Sequence, residues 1–141
     1  MGEWDALGKS LLRAAAGVAF VESGPTVRIG FGDGAGSARI DGTIGSDIAV
    51  EIESRVPKQV RGAVLDLILH PYPKKLLLLL PIHTGNPRTA ARPAEVILGR
   101  LAPHSRSRVV VLPGDPEQAV RHIRSAIVDL RATEPPRSTV P

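Results

Sequence analysis

The stretch SARIDGTIGSDIAVEIES, residues 37–54, decides how the chain folds. Glycine at 42 and 45 breaks it into two extended segments, Ala38–Ile44 and Asp47–Glu53, joined near Gly45–Ser46. Side chains alternate faces along a strand, so residues two apart share a face. Ile48, Val50 and Ile52 therefore point one way, and Asp47, Glu51 and Glu53 the other. A strand with one apolar and one acidic face is either half-exposed or carries a site. Asp41, just before the Gly-Thr-Ile-Gly turn, is the carboxylate that a hairpin would bring toward Glu51.

Working outward, Thr26–Phe31 alternates Val27, Ile29 and Phe31 against polar or small residues and reads as a third strand of the same meander. Gly32-Asp33-Gly34-Ala35-Gly36 lies between strands rather than between a strand and a helix. It is therefore expected to be a hairpin loop and not a phosphate-binding loop. Upstream, Trp4, Leu7, Leu11, Ala15 and Val18 recur at helical spacing, predicting a helix over Trp4–Val21, weakened at Gly8 and Gly17 and ended by Ser23-Gly24-Pro25.

Downstream, Pro57–Leu69 carries a helical stripe of Val60, Ala63, Val64, Leu67 and Ile68, with Pro57 in its first turn. Lys75–Leu80 is apolar on both faces, as in a central strand covered by helices on both sides. A helix over Arg92–Leu101, opened by Pro93, and a second apolar strand at Arg108–Leu112 follow, which implies parallel pairing of the two strands. Asp115-Pro116-Glu117-Gln118 starts the last helix with a capping side chain and a proline at its first position. Its core face is Ala119, Val120, Ile123, Ile127 and Leu130. The order is α, three strands, α, β, α, β, α: a three-layer α/β sandwich with a mixed sheet, antiparallel at one end and parallel at the other. Residues 1–132 form one domain, and the proline-rich Thr133–Pro141 is expected to be a disordered tail.

With 141 residues and few aromatics, the core must come from Leu, Val, Ile and Ala. The chain has no cysteine, which excludes disulfides and thiolate metal sites and suits a cytoplasmic protein. No apolar run reaches membrane-spanning length, and the acidic residues near the N-terminus make a poor signal peptide. Charge is uneven. Up to Ser54 there are four basic and eight acidic residues; after it there are fourteen and six. A basic surface around a carboxylate cluster suits an anionic polymer met through a metal ion. His70, His83, His104 and His122 show no i,i+4 pairing for a metal site, and no G-x-S-x-G nucleophile turn is present.

Asp41 in ARIDG, Glu51-Ile52-Glu53 in AVEIES, the helix PKQVRGAVLDLIL and the strand KKLLLLLP together resemble the restriction-endonuclease-like, or PD-(D/E)xK, nucleases over roughly residues 4–82. Two positions depart from that pattern: Ile40 stands where proline is usual, and Glu53 where lysine is usual. The resemblance implies a metal-dependent DNA endonuclease. Asp41 and Glu51 would hold Mg²⁺ or Mn²⁺ together with the Ile52 carbonyl. Glu53 would join a second metal site or act as general base, and Lys58 would serve as the recruited catalytic lysine. Lys58, Gln59, Arg61, Lys74 and Lys75 are the expected DNA contacts, on the side where the carboxylates open, with a homodimer among the assemblies allowed. The alternatives are a catalytically inactive nucleic-acid-binding or assembly protein of the same fold, and a small α/β partner-binding protein whose acids are merely a solvated strand face.

Overall fold

Helix α1 runs over Glu3–Ala16 and stops where Gly17 adopts a φ of +61°, a left-handed conformation that side chains with a Cβ rarely take. A short 3-10 turn, Gly17–Ala19, leads into strand β1, Phe20–Glu22. Two short strands follow, β2 (Val27–Arg28) and β3 (Ser37–Ala38), then β4 (Gly42–Ile44), β5 (Ile48–Glu53), α2 (Pro57–Leu69), β6 (Lys74–Leu79), α3 (Arg88–Leu101), β7 (Arg106–Val111) and α4 (Pro116–Arg131). The computed structural model describes residues 3–22, 27–28, 37–38, 40–54, 57–80 and 88–132, with the backbone alone at residues 3–4, 27–28, 37–38, 57–59 and 88.

β1, β4, β5, β6 and β7 lie side by side in that order. β1–β4 and β4–β5 are antiparallel; β5–β6 and β6–β7 are parallel. The sheet is thus mixed, with β6 in its interior between β5 and β7. The meander, however, has a different first strand from the one expected. Phe20–Glu22 pairs with β4, whereas Val27–Arg28 pairs with Ser37–Ala38 in a separate two-stranded ribbon. Aromatic and β-branched Phe20 and Val21 favour a strand once Gly17 has stopped the helix. The rest of the Thr26–Phe31 segment, the Gly32–Gly36 loop and the 133–141 tail lie outside the described residues. Helix α3 starts four residues before the expected Arg92. Pro93 sits inside it, giving up one intrahelical bond, and the buried Ala90, Ala91 and Ala94 hold that turn against the sheet.

Two cores sandwich the sheet. On one face Ile48, Val50, Ile52, Leu76, Leu78 and Leu80 meet α1 and α4 through residues such as Leu12, Ile123 and Leu130. On the other, Ala49, Leu77 and Leu79 meet α2 and α3 through Val64, Leu67 and Leu98. Each fully buried Leu or Ile contributes about 1.5–3 kcal/mol. Leucine repeated along β6 serves both cores because its alternate residues face opposite layers. No described helix is long and apolar enough to cross a membrane.

The last helix is fixed at both ends. Asp115 accepts a hydrogen bond from the Gln118 N–H at 2.9 Å, capping the start of α4. At its far end Arg131 holds the Asp47 carboxylate through bonds of 2.7 and 3.1 Å, and Lys74 reaches the same carboxylate at 2.9 Å. The Arg131 hydrogen bond, reinforced by Lys74, holds the Asp47 carboxyl down to about 2 against the opposing effect of burial.

Candidate functional site

Strand β4 ends its ladder at Gly42, opposite Val50. Asp41 takes over the next rung with its side chain: its Oδ2 accepts the Ile52 N–H at 2.7 Å. Within a strand, the N–H and C=O of one residue leave on the same edge. The Ile52 carbonyl therefore also points to the edge where Asp41 sits. On the other side of β4, Gly42 lets β1 approach closely. A Cβ there would lie 2.5 Å from the Phe20 ring and 2.7 Å from the Val21 carbonyl oxygen.

Every residue of β5 is buried, including Glu51 at 6% exposure and Glu53 at 5%. A solvated acidic face is thereby ruled out, since α2 and α3 cover it. Glu51 shares a hydrogen bond with Asp41, yet its Oε1 is buried without a hydrogen-bonding partner. Burial first, then the bond and charge of Asp41 and the charges of Asp66 and Glu53, push the Glu51 carboxyl up to about 10. Near neutral pH a carboxyl raised that far stays protonated. Glu53 Oε1 accepts the Ser54 N–H at 3.1 Å.

Asp66 also bears on this site. From α2 it raises the Glu51 carboxyl, and its own carboxyl is raised by burial and by Asp41. No motif in the sequence singles it out. The available signal was its place three residues after Ala63 and four before His70, both buried, which sets an acid on the border of an apolar stripe. Among the described residues no three or more His, Cys, Asp or Glu side chains are placed to hold a metal ion together.

The basic candidates divide. Lys58 and Gln59 lie in the first turn of α2, directly after β5; their side chains are outside the described residues. Arg61 is exposed on α2 beside a groove of about 160 Å³ shared with α3. Lys74 and Lys75 sit at the start of β6, level with Ile48 and Ala49, at the other end of β5 from Glu53. Lys74 is engaged with Asp47. Lys75, expected among the DNA contacts, is 2% exposed and donates to the His70 carbonyl at the end of α2. Burial pushes its ammonium down to about 8. A cation there suits the negative end of the helix dipole, which is the physical reason it lies inside. Neither lysine is level with Glu51 or Glu53 in the β5–β6 ladder. His70 is likewise buried, its Nδ1 accepting the Tyr72 N–H at 3.2 Å.

Comparison with models of known families, with curated proteins and with solved structures gives no match to this chain.

Proposed function

We propose that the protein is a metal-dependent deoxyribonuclease of the restriction-endonuclease-like fold, hydrolysing phosphodiester bonds. The observation that carries this reading is the Asp41–Glu51 pair, in which a half-buried Asp41 meets a buried Glu51 with an orphaned carboxylate oxygen. Leaving a buried polar atom without a partner costs about 1–3 kcal/mol, and more for a charged group. A cation placed between the two carboxylates removes that cost. The residues fit Mg²⁺ or Mn²⁺: magnesium keeps several waters and takes one or two protein carboxylates, so Asp41, Glu51 and the Ile52 carbonyl form a sufficient donor set.

When bound, such an ion supplies Lewis-acid stabilisation of the phosphate and a water of lowered pKa. The remaining roles belong to the chain. Asp41 is oriented by the Ile52 N–H. Glu53, on the same strand face, accepts a proton from the attacking water. Lys58, at the start of α2, neutralises charge on the phosphate, and Gln59 and Arg61 extend a DNA-binding surface along that helix.

Glu53 also favours a second reading. It stands where the family has lysine and is buried, which suits a DNA-binding protein of the same fold without catalysis. Incubation with duplex, single-stranded and branched DNA in Mg²⁺ or Mn²⁺ separates the two. Cleavage by the wild type, reduced at least about a hundredfold in Asp41→Ala and Glu51→Ala, is the expected result. Salt-sensitive binding with no cleavage of any substrate would overturn the nuclease and leave the binding protein.

A further inference from the structure

Strand β7 is the last of the five-stranded sheet, and among the described residues nothing pairs with its outer edge. The ladder shows which peptide groups that edge presents. Arg106 N–H donates to the Pro73 carbonyl at 2.9 Å and Leu112 N–H to the Leu79 carbonyl at 2.9 Å. Peptide groups of successive strand residues point to opposite edges. Arg106, Arg108, Val110 and Leu112 therefore face β6, while Ser107, Val109 and Val111 present their N–H and C=O groups outward.

Exposed edges are commonly blunted by charged side chains, proline or a bulge. β7 has no proline and an unbroken register with β6. Its two charged residues are drawn back onto α4. The Arg106 guanidinium donates to the carbonyls of Asp129 (2.7 Å) and Ala132, and that of Arg108 lies 3.2 Å from the Asp129 carboxylate. What is left at the edge is half-buried Val109, Val110 and Val111.

We propose that β7 is the interface of a two-fold homodimer, in which the β7 strands of two copies pair antiparallel, centred on Val109, to make one ten-stranded sheet. The register follows from parity and charge. Centring on Val109 pairs Val109 with Val109 and Ser107 with Val111, so all three outward residues of each copy exchange hydrogen bonds. It also sets Arg108 opposite Val110 and Arg106 opposite Leu112. Slipping the pairing by two residues in one direction puts Arg108 against Arg108. Slipping it in the other sets Ser107 opposite Pro113, which has no N–H to give.

The flank is complementary as well. A groove of about 340 Å³ between α3 and β7 is lined by Ala91, Arg92, Glu95, Val109 and Val111. The two-fold lays the partner's copy of this groove against it and runs the two α3 helices antiparallel, so that Arg92 of each copy meets Glu95 of the other. In this dimer the β5 strands run in opposite directions, and the two carboxylate sites open at opposite ends of the joined sheet. The interface therefore stands independently of the nuclease reading.

Sedimentation equilibrium of the full chain tests it. The wild type should have twice the chain mass. Val109→Pro deletes an outward N–H while sparing the bonds to β6, so it should be monomeric with an unchanged far-UV circular dichroism spectrum. Val109→Lys and Val109→Glu should each be monomeric alone, because like charges meet at the axis, and should form a dimer when mixed. A wild type that stays monomeric up to millimolar concentration, variants that all remain dimeric, or a Lys–Glu mixture that does not associate would overturn the proposal.

Discussion

At the scale of single residues, the site depends on a glycine and on two acids. Replacing Gly42 by Ala drives a methyl group into the Phe20 ring and the Val21 carbonyl. We expect a loss of about 1–3 kcal/mol in chemical denaturation, and weaker metal binding because Asp41 shifts off Ile52. Glu51→Gln acts in the opposite direction on stability. In metal-free buffer near neutral pH it removes the need to keep a buried carboxyl protonated beside Asp41. The free energy of unfolding should therefore rise, by about 1–3 kcal/mol, even as activity is lost. A melting experiment that finds Glu51→Gln less stable than the wild type would mean that keeping Glu51 protonated costs the fold nothing. Glu53→Lys restores the residue usual in the resembling family. Cleavage should persist or increase if Glu53 only fills that position, and should vanish if its carboxylate is needed beside the ion.

At the scale of elements, Asp47 ties the β4–β5 turn to β6 and α4. Its folded carboxyl lies at about 2 against an ordinary value of 3.8. A depressed carboxyl stabilises the fold above its unfolded value and loses that contribution as pH falls through the folded one. Stability should therefore decline between about pH 4 and pH 2, and Asp47→Asn should flatten that part of the curve at a cost of about 1 kcal/mol at neutral pH, allowing for solvent screening. Urea titrations of both proteins across that range would show it; parallel curves would contradict it. The elements also show what the sequence made legible. α2 was read to its residues because a proline at its start and an unbroken stripe to Leu69 mark both ends, and β6 and β7 stand out as apolar runs. β1 was not legible: three residues carry no period, and they continue a helical pattern that only the φ of Gly17 interrupts. The burial of Lys75 is hidden from the sequence for a related reason. Charge predicts exposure unless a partner is present, and its partner, the His70 carbonyl, is a backbone atom that no residue pattern announces.

At the scale of the whole molecule, a mixed sheet between two helical layers brings Asp41 and Glu51 together although ten residues separate them in the chain. The hairpin sets the distance, and the layer of α2 and α3 removes the water. That carboxylates would meet was readable from the strand alternation. That Glu51 would be buried was not, because the cover comes from helices later in the chain. The central claim is that this pair is a cation site. Calorimetric titration of Mn²⁺ into the metal-free protein tests it most directly. One ion bound per chain, with binding abolished in Glu51→Gln and in Asp41→Asn while both variants stay folded, is the expected result; no binding by the wild type, or binding that Glu51→Gln leaves unchanged, would contradict it.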